Sequence, residues 1–289
     1  MNRAGITGLL EYELKRLHSK KSFYLLLIVA VSPVFATGLI RYLGYNGSVG
    51  GLFWLQLFGV QVGGSLTGLL ASSAGVASLI WILGPLFGGD LVAADLRDES
   101  IYLVLSRPLK RAGYLVGKIL ALSLFLAAMY TSSLLASYLS ASVLIGGQEK
   151  VYLMPVALFT VLVSTMFMAV LSAVIGAYTR NPTAGMIGGI GLYFITGTIE
   201  GIVLMATGAV SSPGRLSYYM AVDPIRAALS LPTLTLSYMA GMHSLNVAGI
   251  PLISGGTLGY VLAFAWMNVS VSSILLYLVL HRTVERMDL

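Results

Sequence analysis

The sequence has no cysteine and few charged residues. Its 289 residues include 17 Lys and Arg and 11 Asp and Glu. Without thiols the chain cannot form a disulfide framework, a thiolate zinc site, an iron–sulfur cluster or a cysteine nucleophile. Charged residues make up 10% of the chain, against about 25% in a typical soluble domain. The low charge also argues against a disordered chain and against a protein that coats nucleic acid, although the isoelectric point is near 9.5.

Hydrophobic residues are abundant instead: they make up 57% of the chain, and the mean hydropathy is +0.89. A bilayer core about 30 Å thick requires roughly 20 apolar helical residues. Charge-free intervals of that length predict an all-α polytopic membrane protein, with residues 1–289 forming a single transmembrane domain of six spans. The predicted spans are 22–43, 66–89, 118–145, 153–178, 184–207 and 257–280.

Shorter pieces are predicted around these spans. Residues 1–21 are typical of an amphipathic helix on the membrane surface, with Glu11 and Lys15 spaced to pair on its polar face. The apolar stretch Leu52–Val62 is too short to cross, so we interpret it as interfacial or re-entrant. The outer segment 208–254 holds four of the nine prolines, and Pro232 is predicted to break any span there into short outer helices.

The basic residues predict the orientation. With the N-terminus in the cytoplasm, cytoplasmic segments hold thirteen Lys and Arg and outer segments hold four. This asymmetry follows the positive-inside rule. We therefore expect a multi-pass protein of the plasma or inner membrane with both termini cytoplasmic, whose net charge of +6 reflects topology.

The segment between the second and third spans concentrates charge of both signs. Residues 90–118 read DLVAADLRDESIYLVLSRPLKRAGYLVGK and hold five basic and four acidic residues. Orientation requires only the basic ones. A short helix, charged at 95–99, apolar at 101–105 and ended by Pro108, is predicted here as a cytoplasmic coupling helix within the loop 90–117. The simpler alternative is a solvated loop.

The same segment resembles the ABC-2 type permeases, which are membrane subunits of ABC transporters. Asp95 stands where that family usually has Glu, and Glu99 stands where it usually has Gly. The N-terminal helix, the six spans and the long segment before the last span also fit the family. The matching positions are Asp95, Ser100, Leu105, Ser106, Arg107, Pro108, Arg111, Gly117 and Lys118.

The resemblance implies a multi-subunit assembly. The implied partners are two cytoplasmic ATP-binding subunits and a second permease subunit, alike or related, which lies beside this chain in the lipid bilayer. The family also allows an extracytoplasmic accessory or substrate-binding protein. This sequence has no G-x-x-x-x-G-K-[ST] loop, so ATP and Mg are expected on the partner subunit and no cofactor or metal on this chain. The implied ATPase-coupling residues are Asp95, Arg97, Asp98, Glu99, Ser100, Ser106, Arg107, Pro108, Arg111, Glu11, Lys15 and Arg180.

One acidic residue, Glu200, lies inside a predicted span. An intramembrane carboxylate is costly and suggests function, so Glu200 with Gly197 and Gly201 is a candidate translocation path or gate. The alternative is a solvated residue near the outer end of the span. The glycines of this span can serve close helix packing within the subunit or at a dimer seam. Met239, Met242 and His243 could bind Cu(I), although ordinary packing is the commoner role of methionine.

The prediction is therefore a permease subunit that exports a substrate with energy from a separate ATPase, and that is not by itself an enzyme. An ion-coupled secondary transporter would instead predict inverted repeats and several buried ionisable groups. An intramembrane enzyme would require H-E-x-x-H, paired aspartates or a Ser–His pair at membrane depth. A membrane assembly or structural protein without an ATPase is the remaining alternative.

Overall fold

The part of the chain that the structure describes is almost entirely helical. A computed structural model describes residues 3–19, 22–42, 52–59, 76–98, 111–144, 146–206, 221–241, 245–247, 250–253 and 258–286. Two short strands, β1 (Leu245–Val247) and β2 (Ile250–Ile253), pair in antiparallel fashion. The helices in these ranges are α1 (Arg3–Ser19), α2 (Ser22–Tyr42), α3 (Phe53–Phe58), α4 (Ile80–Arg97), α5 (Arg111–Leu144), α6 (Met154–Thr179), α7 (Pro182–Ala206), α8 (Pro224–Met239) and α9 (Leu258–Glu285).

Several of these helices are long and apolar enough to cross a membrane. Helices α2 and α7, with 21 and 25 residues, occupy the predicted first and fifth spans. The helical membrane fold is confirmed, while the count of six spans stays a prediction. Among the described residues, four segments meet the length and hydropathy that a span requires: Ala77–Arg97, Arg111–Val143, Val151–Thr179 and Leu258–Glu285.

The helices next to the charged loop are longer than the predicted spans. Helix α4 continues past Gly89 to Arg97, and α5 begins at Arg111, seven residues before the predicted start at position 118. Asp95 therefore belongs to the same continuous helix as the second span. The predicted coupling helix began at this charged stretch, and its remainder, within residues 99–110, lies outside the described residues.

Helix α6 is the centre of the bundle. It contacts α4, α5, α7, α8 and α9. The buried hydroxyls of Thr160, Ser164 and Thr165 bond to carbonyls one turn earlier, as Ser164 Oγ does to Thr160 O at 2.8 Å. Thr165 additionally shares a 2.6 Å hydrogen bond with the buried hydroxyl of Tyr130 on α5. Because these polar groups have partners, they can lie in an apolar core at little cost.

Glycines bring α4, α6 and α7 into close contact. A β-carbon at Gly88 of α4 would lie 2.5 Å from the Cα of Ala169, and one at Gly185 of α7 would lie 2.8 Å from the Cα of Gly176. A side chain at either position would therefore overlap backbone. Gly191, by contrast, has no described atom within 4 Å of such a carbon. At Gly185, the glycine-rich surface predicted on the fifth span serves packing within the subunit.

The short apolar segment after the first span forms the buried helix α3. All six of its residues are buried, and the helix packs against α5. The indole Nε1 of Trp54 donates to the carbonyl of Glu149 at 3.0 Å, and Gly59 ends the helix at a φ of 104°. A helix this short can be accommodated because protein, rather than lipid, surrounds it.

The segment before the last span holds the continuous helix α8, so the prediction that Pro232 would break it is wrong. Asp223 caps the helix by accepting from the N–H groups of Ile225 and Arg226 at 3.2 and 3.3 Å. Pro232 is buried inside the helix, where α6 and α9 pack against α8. Tertiary packing thus outweighs the lost backbone hydrogen bond. With 16 residues, about 24 Å long, α8 is shorter than a full span.

Candidate functional site: an ion cluster under the N-terminal helix

Helix α1 lies against the bundle where α4 ends and α5 begins. Leu9 packs on Gly117 of α5, since a β-carbon on Gly117 would lie 2.7 Å from Leu9 Cδ2. The position of each polar residue around the helix then determines whether it faces the bundle or the exposed surface. Glu13 and Arg16, one turn apart, lie towards the bundle, whereas Glu11 and Lys15 lie on the exposed surface.

Five residues from three helices form one network, which we call the ion cluster: Glu13 and Arg16 of α1, Asp95 of α4, and Tyr114 and Lys118 of α5. Arg16 Nη1 lies 2.7 Å from Asp95 Oδ1 and 3.4 Å from Glu13 Oε1. Lys118 Nζ lies 2.6 Å from Asp95 Oδ2 and 3.1 Å from Glu13 Oε1. The Tyr114 hydroxyl donates to Asp95 Oδ2 at 2.7 Å.

The ion cluster is buried and electrically balanced. Lys118 is 1% exposed, Asp95 4% and Glu13 6%. Two carboxylates face two cations, so the formal charges cancel. A single buried charge would be very costly, and pairing together with hydrogen bonds makes burial tolerable. The cluster can therefore exist only when α1, α4 and α5 are assembled.

Arg16 is the least buried charged member of the cluster. Burial by itself would lower the pKa of its guanidinium. The carboxylates of Asp95 and Glu13 outweigh that effect and raise the pKa above its ordinary value. Arg16 is therefore a permanent cation. On the other side of Asp95, Lys118 Nζ also lies 5.2 Å from the centre of the Tyr114 ring, a cation–π distance.

Exposed charges surround the ion cluster. Lys15 pairs with Glu11 at 2.7 Å and lowers the pKa of that carboxyl. At the end of α4, Arg97 pairs with Asp98 at 2.9 Å and lowers its pKa. All four side chains are more than half exposed. Four of the predicted coupling residues thus lie on the surface at this end of the bundle.

The other predicted coupling residues fall into three groups. Asp95 is inside the ion cluster rather than on the surface. Arg111 is half-buried and donates to the carbonyl of Glu285, and Arg180 is exposed at the end of α6. The remaining five lie outside the described residues: Glu99, Ser100, Ser106, Arg107 and Pro108.

Sequence reasoning did not identify Glu13, Arg16, Tyr114 and Lys118 as members of one site. Arg16 and Lys118 both contributed to the basic count that predicted orientation, and Lys118 was also one of the positions that match the ABC-2 pattern. The sequence did indicate that Lys118 needs a partner, because a lysine at the start of a long charge-free membrane helix is costly without one. The partner could not be identified, since Asp95 precedes it by 23 residues and Glu13 by 105.

The predicted path residues lie on α7, on a different part of the molecule. The guanidinium of Arg226, from α8, packs where Gly197 leaves room and lies 4.9 Å from the ring centre of Tyr193. Glu200 follows Gly197 by one helical turn. The surroundings of Glu200 and Gly201 lie outside the described part of the structure, as do Met242 and His243 altogether. Within that part, no three His, Asp or Glu residues lie close enough to hold a metal ion.

Apolar helices around a central helix, with charges gathered at one end, define a polytopic α-helical membrane protein. Residues 16–281 match the family of ABC-2 family transporter proteins. The match covers most of the chain, which therefore belongs to the ABC-2 transporter family. The resemblance seen in residues 90–118 is thereby confirmed. No curated protein matches the sequence.

Proposed function

We propose that this chain is the membrane-spanning permease subunit of an ABC transporter. It exports a substrate with energy from ATP hydrolysis in a separate subunit and performs no bond chemistry itself. Two ATP-binding subunits carry ATP and Mg, and a second permease subunit, alike or related, completes the assembly. Both termini lie in the cytoplasm at the plasma or inner membrane. Family membership supports this assignment, and the ion cluster supports its mechanism.

In this mechanism, the ion cluster transmits motion. Through Asp95 and Lys118, helix α1 is fixed to α4 and α5, so a force on α1 acts on both helices. Helix α4 in turn packs tightly on α6 and α7 at its glycines. Closure of the ATPases therefore shifts the helices together between arrangements that differ in access and in substrate affinity.

The docking surface on the permease is formed by exposed charges. Glu11 and Lys15 on α1 and Arg97 and Asp98 on α4 are its members around the ion cluster. Asp95 acts as a positioning residue, because it holds α1 beside the end of α4. The proposed surface continues over Glu99, Ser100, Ser106, Arg107, Pro108, Arg111 and Arg180.

Neutralising the charges at the end of α4 should weaken ATPase association. For the variant Arg97→Gln, Asp98→Asn, Glu99→Gln, we expect about tenfold lower recovery of the ATPase, since exposed charges contribute about 0.5 kcal/mol each. The measurement is purification from native membranes, with quantitative mass spectrometry of co-purifying chains that carry a G-x-x-x-x-G-K-[ST] loop.

Glu149→Gln is the control for this experiment. Glu149 is exposed and lies between α5 and α6, away from α1. Undiminished ATPase recovery and normal transport in the triple variant would show that the docking surface is wrongly assigned. If the wild-type chain recovers no such ATPase, the result would favour an assembly or structural protein over a permease.

For the path through the membrane, we propose the region of α7 that holds Gly197, Glu200 and Gly201. The observation in its favour is the Arg226 guanidinium, which reaches α7 beside Gly197 over the Tyr193 ring. With Arg226 beside Gly197 and Glu200 three residues further along the chain, this part of α7 would be polar in an otherwise apolar helix. An accessory protein on the outer side would meet the same end of the molecule.

A further inference from the structure

A concentration of positive charge lies in a cleft between the α6–α7 turn and the end of α9. The cleft has a volume of about 390 Å³. Arg180 lines it from the turn, and Arg282 and Arg286 line it from α9. Ala177 and Val279 supply apolar wall between the guanidinium groups. The cleft therefore combines three cations with an apolar surface.

The three arginines of the cleft differ from Arg16 and Arg97 in their pairing. In the described part of the chain, none of them forms an ion pair, whereas Arg16 and Arg97 both do. The acidic residue nearest in sequence, Glu285, lies 3.4 Å from His281 instead. Three like charges around one cleft repel each other, so an anion bound between them would be stabilised by all three.

The backbone at Arg180 is a second, independent observation. Arg180 ends α6 with a φ of 52°, in the left-handed region that glycine or asparagine usually occupies at this position. The turn is closed by the N–H of Asn181 donating to Gly176 O at 3.1 Å. Glycine would make the same turn without strain. An arginine in a disfavoured conformation indicates that its side chain has a role.

The cleft opens onto the apolar surface of α9. Leu275, Leu278 and Val279 are each about half exposed on this helix, at 57%, 50% and 48%. Helix α9 is long and apolar enough to cross a membrane. It ends beside the start of α5, where Arg111 donates to the carbonyl of Glu285. A ligand in the cleft would thus have cations around its polar end and an apolar helix surface beside the rest of it.

We propose that this cleft binds the headgroup of an anionic phospholipid. Guanidinium groups bind phosphate through paired hydrogen bonds, and basic pockets at helix ends are suited to acidic headgroups. The phosphodiester lies between Arg180, Arg282 and Arg286, and an acyl chain follows the exposed leucines of α9. The lipid holds the α6–α7 turn to the end of α9. Arg180 also belongs to the proposed ATPase docking surface, so lipid binding is measured on the purified chain without the ATPase.

Native mass spectrometry of the full-length chain tests the proposal. The purified protein is titrated with phosphatidylglycerol and, separately, with phosphatidylcholine of the same acyl chains. We expect about tenfold preference for phosphatidylglycerol in the wild type, and about tenfold weaker binding of it by Arg282→Gln, Arg286→Gln. Arg97→Gln, an exposed arginine at the same end of the bundle, should bind it like the wild type.

Arg180→Gly separates loss of the site from loss of the fold. Glycine suits the positive φ, so this variant should melt at or above the wild-type temperature while binding phosphatidylglycerol more weakly. Equal binding of phosphatidylglycerol and phosphatidylcholine, or undiminished binding by the arginine variants, would overturn the proposal. Stabilisation by inorganic phosphate as large as that by the lipid would identify a free-anion site instead. Lost ATPase recovery with unchanged lipid binding would assign the cleft to the ATPase interface.

Discussion

Lys118→Met is expected to lower the free energy of unfolding by about 3–5 kcal/mol, the cost of removing one partner from a buried ion network. Lys118 is the more deeply buried of the two cations that contact both carboxylates, at 2.6 Å from Asp95 and 3.1 Å from Glu13. Without it, two buried carboxylates face only Arg16. Methionine keeps nearly the same volume, so the effect reports charge rather than a cavity.

Thermal unfolding in detergent measures the effect of Lys118→Met, and limited trypsin digestion shows whether α1 is released. Lys15→Met is the matched control: its ammonium is 2.7 Å from Glu11 but is largely exposed, so its removal should change stability by less than about 0.5 kcal/mol. If Lys118→Met and Lys15→Met melt at the same temperature, the ion cluster does not contribute to the fold as argued.

A double variant tests whether stability depends on the balance of charge in the ion cluster or on the lysine itself. Lys118→Met combined with Asp95→Asn removes one cation and one anion, which leaves Glu13 facing Arg16. We expect the pair of substitutions to cost clearly less than the sum of the two single ones, by at least about 1 kcal/mol. Strict additivity would contradict the coupling between Asp95 and Lys118. A double variant that folds also provides a protein in which α1 is less tightly fixed to α4, so transport by it tests whether the ion cluster transmits motion.

Gly88→Ala is expected to lower the stability of the bundle more than the addition of a methyl group at any other position. Its β-carbon would lie 2.5 Å from the Cα and 2.6 Å from the carbonyl carbon of Ala169, which are backbone atoms of the central helix α6. Backbone cannot move aside as a side-chain end can, so α4 would have to shift away from α6. We expect a loss of about 3 kcal/mol, at the upper end of the range for overpacking.

Gly191→Ala is the matched control for Gly88→Ala, because it makes the same chemical change where no described atom lies within 4 Å. In a helix, alanine is favoured over glycine by up to about 1 kcal/mol, so this variant should melt at or slightly above the wild-type temperature. Thermal unfolding and the yield of monodisperse protein decide both expectations. Equal melting of Gly88→Ala and Gly191→Ala would show that α4 and α6 are not held at the distance described.

The family and the membrane class were predictable from the sequence because both depend on local features. Long charge-free runs identify helices that lipid can surround, and the positions around Ser106 and Gly117 carry the family resemblance. Helix ends were less predictable. Asp90 and Asp95 were predicted to lie in a loop because charge usually marks the end of a span. Helix α4 instead continues through both residues to Arg97.

The partners of charged residues were not predictable, because they depend on residues that are distant in the chain. Asp95 was assigned to an exposed surface, and the structure buries it between α1 and α5. Pro232 was expected to end a helix, and packing by α6 and α9 keeps α8 continuous through it.

By itself, the sequence determined that this protein is a helical membrane protein of the ABC-2 transporter family. Composition and hydropathy are sums over single residues, so they can be evaluated without knowledge of the fold. Only the tertiary structure decided which charges face outwards and which neutralise each other inside. A buried ion requires a counter-ion within about 3–4 Å. The fold supplies it by placing Glu13, Arg16, Asp95 and Lys118 around one point where α1, α4 and α5 meet.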